Sequence, residues 1–216
     1  MIQLTIPTPH GPARVHLRRA DNTRGGLVLG HGAGGGVEAP DLVAAAEAGL
    51  AEGFSVALVE QPYRVAQRRS SPPAHQLDEA WITVVERLAD GDLRGLPLVA
   101  GGRSAGARVA CRATENTNAA AILCLAFPFR PPARKRKPPA PTRLPELDAV
   151  KVPVLVVQGE NDRFGMPPPG KDRQVVAVPG DHSLRKDPQA LAAAVENWLP
   201  GVVAGASPKR RASAAP

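Results

Sequence analysis

The residues best suited to chemistry in this chain are Gly102-Arg103-Ser104-Ala105-Gly106, a G-x-S-x-G pentapeptide. It follows an apolar run, Leu96–Ala100, and opens a helical segment. In that context a serine rides a sharp strand-to-helix turn, and small residues on both flanks let other backbone pass close by. The hydroxyl then sits at a helix N-terminus, where the dipole and free N–H groups favour developing negative charge. A serine hydroxyl by itself is a weak nucleophile and needs a base.

His182, in Pro179-Gly180-Asp181-His182-Ser183-Leu184, is the candidate base. It follows the last strand-like run, Gln174–Val178, and precedes the closing helical segment. The orienting acid should end the preceding strand. Val154–Gln158 leads into Gly159-Glu160-Asn161-Asp162-Arg163-Phe164-Gly165, and the strand–G-x-x-D spacing selects Asp162 over Glu160. Asp181 adjoins His182 and is expected to point elsewhere. A fourth element, His31-Gly32-Ala33-Gly34-Gly35-Gly36, follows the run Gly26–Gly30 and can offer backbone N–H groups to an oxyanion. The donors assigned are Ala33 N–H and Ala105 N–H, with Gly34 as the competing choice. A phosphate loop is disfavoured, since G-x-x-x-x-G-K-[ST] is missing and G-x-G-x-x-G does not fit.

The elements that must position these residues read as a β-hairpin followed by alternating strands and helices. Ile2–Ile6 and Ala13–Arg18 form the hairpin. The later strands are Gly26–Gly30, Phe54–Val59, Leu96–Ala100, Ala119–Ala126, Val152–Gln158 and Gln174–Val178. Helices are expected over Ala39–Glu52, Gln76–Ala89, Ala105–Glu115 and Pro188–Leu199. The short Val- and Leu-rich strands lack polar alternation, which predicts a mostly parallel sheet covered on both faces. Right-handed crossovers make it a doubly wound α/β sheet, with ligands at the strand carboxyl ends. One domain over residues 1–200 and a disordered basic tail over 201–216 are expected.

The 216 residues carry a net charge of +7. Arg130, Arg134, Lys135, Arg136, Lys137 and Arg143 lie in one proline-rich segment, and Lys209, Arg210 and Arg211 in the tail. These nine exceed the net charge, so the body is close to neutral and offers no nucleic-acid platform. No apolar run approaches the roughly 18 residues of a membrane span. The start, MIQLTIPTPHG, lacks the layout of a signal peptide. The two cysteines, Cys111 and Cys124, have no metal spacing and read as buried small residues in a reducing, cytoplasmic setting. The five histidines form no i, i+4 pair, which disfavours zinc. No cofactor is called for, and nothing in the sequence specifies an oligomeric state.

Five segments, LVLGHGAGGG, GGRSAGARVA, LAFPFRPP, VQGENDRFG and GDHSL, are spread from Leu27 to Leu184. On these the chain resembles the dienelactone-hydrolase-related α/β-hydrolases, and more narrowly the small cap-less group that includes testis-expressed α/β-hydrolase-like proteins. Ser104, Asp162 and His182 stand in the chain order this fold requires. The resemblance implies an α/β-hydrolase fold without a cap domain. It also implies a carboxylesterase-like Ser-His-Asp site acting on a small acyl substrate: an ester, thioester or lactone. The chain departs from dienelactone hydrolase itself in using serine where that enzyme carries cysteine. Its interval Pro128–Val150 is proline-rich and basic where larger hydrolases carry a cap or full helix. Arg64 and Arg103 are the candidate substrate-binding residues, through attraction to an anionic acyl group. The competing reading is an inactive hydrolase-like interaction module, suggested by ARKRKPP and PKRRA.

Overall fold

The computed structural model describes residues 1–131 and 140–205. Its strands are β1 (Ile2–Thr8), β2 (Gly11–Arg18), β3 (Gly25–Gly30), β4 (Phe54–Glu60), β5 (Leu98–Arg103), β6 (Ala121–Leu125), β7 (Val154–Gly159) and β8 (Arg173–Val178). Its helices are α1 (Pro40–Ala51), α2 (Pro62–Val65), α3 (Ala74–Asp90), α4 (Ala105–Arg112), α5 (Thr114–Thr117), α6 (Leu144–Asp148) and α7 (Pro188–Gly205). One eight-stranded sheet runs β1-β2-β4-β3-β5-β6-β7-β8. β1 and β2 pair antiparallel as the N-terminal hairpin, β2 joins β4 antiparallel, and all remaining pairs are parallel.

The two-sided apolar strands feed two cores, one on each face of the sheet. Val28, Ala100, Ile122 and Val156 face the layer holding Trp81 and Val84 of α3 and Ala107 and Ala110 of α4. Their chain neighbours Leu27, Leu29, Val99, Leu123 and Val157 face Leu42 and Ala45 of α1 and Leu191, Val195 and Leu199 of α7. Strand side chains alternate between faces, so an uninterrupted apolar run serves two helix layers at once. Cys111 and Cys124 are buried with their sulfurs 3.6 Å apart. The neighbouring Cys111 and burial both push the Cys124 thiol up. No helix among the described residues is long and apolar enough to cross a membrane.

Three local expectations need correction. The segment after β4 contains a helical turn, α2, and the proline-rich interval contains another, α6. Both carry proline at N1 or N2, where its missing N–H costs nothing. The helix expected over Ala105–Glu115 is broken at Ala113, where Thr114 Oγ1 donates back to the Ala110 or Cys111 carbonyl. The closing helix continues through Pro200 to Gly205, so residues 201–205 are helical. Burial of Val202 against the α1/α7 core accompanies this extension. Residues 206–216 of the expected tail, and Arg134, Lys135, Arg136 and Lys137, lie outside the described residues.

Chain direction along the sheet reverses between β3 and β5. From β3 the chain moves to β4 on one side, and from β5 it moves to β6 on the other. A crevice forms at the carboxyl ends of strands flanking such a point, which is where doubly wound folds bind ligands. The loop after β3 and the turn after β5 both open there.

Candidate active site

Ser104 occupies the turn between β5 and α4 with φ 52° and ψ −104°. A non-glycine residue with positive φ is strained by about 1–3 kcal/mol and persists only where its surroundings impose it. Two glycines make the turn possible. A Cβ on Gly102 would lie 2.3 Å from the Gly30 carbonyl oxygen, and one on Gly106 would lie 2.4 Å from the same atom. Neither gap admits a side chain, so α4 and β5 close tightly on β3. The Ser104 N–H donates to Leu125 O at 2.9 Å, which fixes the turn against β6.

His182 comes from the loop after β8, and its Nε2 lies 3.0 Å from Ser104 Oγ. Its Nδ1 lies 2.8 Å from Asp162 Oδ2. With Nδ1–H donating to the carboxylate, Nε2 is left free to accept the serine proton. The Phe164 ring packs edge-on to the imidazole with centroids 4.4 Å apart. Asp162 follows β7, and its side chain is fully buried. Its Oδ1 accepts the Phe164 N–H at 2.8 Å. The acid and base loops are locked together: Asn161 N–H donates to Gly180 O, and a Cβ on Gly159 would lie 2.4 Å from Asp181 O. Glu160 is exposed. Asp181 turns away and accepts from the Ser183 N–H and Oγ, which holds its carboxyl below the usual range.

The His31–Gly36 loop abuts the serine, for a Cβ on Gly32 would sit 3.7 Å from Ser104 Cβ. Ala33 is exposed on this loop. Ala105 is the first residue of α4, so its N–H has no partner within the helix. His31 anchors the loop from beneath. One ring nitrogen, Nδ1, bonds Gly32 O at 2.8 Å, and Nε2 accepts the Gln61 N–H at 3.1 Å. Burial lowers its pKa, and the Arg64 charge adds to that against the Gly32 hydrogen bond. The Tyr63 hydroxyl donates to Ala33 O at 3.0 Å.

Three residues with no motif to announce them also belong to this arrangement. Gln158, wholly buried at the end of β7, donates its amide to Asp162 Oδ2 at 2.8 Å, and to Phe127 O and Gly165 O. Tyr63 and Asp41 are the others. The only sequence signal for Gln158 is a polar residue inside an otherwise apolar strand.

The two candidate substrate arginines differ. Arg64, on α2, is half-buried, and its guanidinium has no hydrogen bond or ion pair among the described residues. Arg103 is already engaged: its Nε lies 2.6 Å from Asp41 Oδ2, and its Nη2 donates to His182 O at 3.1 Å. The Asp41 contact is a close ion pair whose N–H is not aimed along a hydrogen bond.

A doubly wound sheet with its crossover crevice beneath a strained serine, an imidazole and a carboxylate defines the class. The α/β-hydrolase domain family matches residues 23–196. The chain belongs to that family. No curated protein sequence matches the chain. Among solved structures, it is similar to an α/β serine hydrolase without a lid from Xanthomonas campestris, at 19% identity and TM-score 0.73, with 96% of each chain covered. It is also similar to Est1E from Butyrivibrio proteoclasticus, at 15% identity and TM-score 0.75, covering 94% of this chain and 99% of that one. A dienelactone hydrolase from Anabaena variabilis matches at 17% identity and TM-score 0.68, covering 93% and 96%. At such identities the likeness is one of fold, and the fold is the cap-less α/β-hydrolase type.

Proposed function

We propose that this protein is a serine hydrolase that cleaves a small ester-type substrate (a carboxylic ester, thioester or lactone) through an acyl-enzyme on Ser104. The observation that carries the reading is the continuous relay from Ser104 Oγ to His182 Nε2 at 3.0 Å, and from His182 Nδ1 to Asp162 Oδ2 at 2.8 Å. Ser104 Oγ attacks the carbonyl carbon as His182 Nε2 takes its proton. The carbonyl oxygen becomes an oxyanion held by the N–H groups of Ala33 and Ala105. His182 returns the proton to the leaving alkoxide or thiolate, and the acyl group stays on Ser104. Water then attacks the acyl carbon by the same route, releasing the acid and restoring the serine. Asp162 fixes the Nδ1–H tautomer and stabilises the imidazolium without itself taking a proton. Arg64 is the remaining candidate for contact with an anionic group on the substrate.

The test is labelling by a fluorophosphonate, which phosphonylates an activated serine with loss of fluoride. Wild-type protein should gain the adduct mass on the peptide containing Ser104, and Ser104→Ala should take none. Equal labelling of the two proteins sinks the assignment.

A further inference from the structure

Arg103 lies between Gly102 and Ser104, yet its side chain reaches three other parts of the molecule. Nε meets Asp41 at the start of α1, and Nη2 holds the backbone carbonyl of His182. Nη1 comes within 2.8 Å of the position a Cβ on Gly32 would take, so the guanidinium also backs the His31–Gly36 loop. Three of the four elements proposed to act on substrate (nucleophile turn, base loop and oxyanion loop) therefore converge on one planar cation.

Asp41 explains why that cation stays in place. Its side chain is fully buried, its Oδ1 accepts the Leu42 N–H at 3.0 Å, and its Oδ2 has Arg103 alone among the described residues. A buried carboxylate without a cation beside it is strongly unfavourable, so Asp41 demands the guanidinium. Burial raises the Asp41 pKa while the Arg103 charge opposes that rise. Asp41 also sits in the first turn of α1, where negative charge is favoured. A second donor of the planar fork, Nη2, then goes to the His182 carbonyl. A lysine ammonium can reach either the carboxylate or the carbonyl but does not span both as a fork does.

We propose that the Asp41–Arg103 ion pair is a positioning device that tethers the His182 loop and sets the imidazole against Ser104. Arg103 is thereby reassigned from substrate contact to alignment of the base. This inference rests on the hydrolase reading for its kinetic consequence and on the tether geometry for its structural one.

Two variants separate alignment from stability. Arg103→Lys keeps a cation against Asp41 but loses the fork. The double variant Asp41→Asn with Arg103→Met removes both charges, so no buried charge is stranded. Both are expected to fold. A misplacement near 1 Å at a reacting group costs on the order of 100-fold, so both should fall roughly 10- to 100-fold in fluorophosphonate labelling rate and in kcat on p-nitrophenyl acetate, with KM little changed. A second readout needs no turnover. The His182 Nδ1 proton, bonded to Asp162, gives a far-downfield NMR resonance assigned by its loss in His182→Gln. In both variants it should shift or broaden by faster exchange.

Rates per folded molecule equal to wild type, or an unchanged resonance, overturn the tether and leave a merely structural ion pair. Unlabelled wild-type protein whose His182 resonance still depends on Arg103 overturns the hydrolase reading and supports the tether.

Discussion

Gln158 and His182 converge on a single oxygen of Asp162. Both the Gln158 amide and His182 Nδ1 lie 2.8 Å from Oδ2, while Oδ1 takes the Phe164 N–H. The carboxylate is thus oriented independently of the imidazole, by a donor on β7 and by the Phe164 N–H. The Gln158 amide is shared among Asp162, Phe127 O and Gly165 O, whereas its own Oε1 is buried without a partner among the described residues.

Replacing Gln158 by the similarly sized Met removes one unsatisfied acceptor but withdraws two N–H donors shared among three acceptors, of which Asp162 Oδ2 keeps His182 and Phe127 O keeps the Phe129 N–H. The loss outweighs the relief, and we expect destabilisation of about 1–3 kcal/mol. Urea denaturation measures it. Labelling of Ser104 should also slow, because the acid is less firmly held. A variant as stable and as reactive as wild type refutes this role for Gln158.

Asp162→Asn preserves shape but not charge. The carboxamide can present N–H to His182 Nδ1, which favours the tautomer with its proton on Nε2, facing the serine. We expect kcat to drop roughly 10⁴-fold while the fold survives. Ester hydrolysis at saturating substrate is the measurement, and a loss below 10-fold would remove Asp162 from its proposed role.

Ser104→Gly tests the strain at the turn. Glycine adopts φ 52° without the penalty serine incurs, so stability should rise by about 1 kcal/mol or more as labelling vanishes. A lower denaturation midpoint would show that the conformation is not strained as argued.

His31 makes stability depend on pH. Its folded pKa lies below the usual 6.5, so the unfolded chain binds the proton first on acidification. Its contribution is complete above about pH 6.5 and is lost progressively as pH falls from there to the lowered folded value. Asp41 acts in the opposite sense, because its raised pKa makes the folded state take up a proton first, which offsets acid loss at lower pH. Melting temperatures of wild type and His31→Gln between pH 8 and pH 5 should diverge, with the shallower acid slope in the variant. Parallel slopes would count against the buried neutral imidazole.

Much of this molecule was legible before any coordinates. Runs such as Leu27–Leu29 and Leu155–Val157 are apolar at every position, and only a sheet covered on both faces uses them fully. Local chemistry also marked the turn at Gly102–Gly106, since few strand-to-helix junctions require small residues on both sides of a serine. Short elements were harder. A four-residue helix such as Pro62–Val65 is barely one turn and carries no period to detect. Pro200 reads locally as a helix stop, yet the helix passes through it where Val202 finds a buried seat.

By itself the sequence determined the order of the strands and of the longer helices, the two-faced core and the candidate site residues, because each depends on neighbours within a few positions. Tertiary structure alone decided that Asp41 and His182 share the Arg103 cation, and that Gln158 meets Asp162 beneath the imidazole. Asp41 and Arg103 are brought together only when α1 packs beside the turn that follows β5, and no periodicity along the chain encodes a contact across that distance.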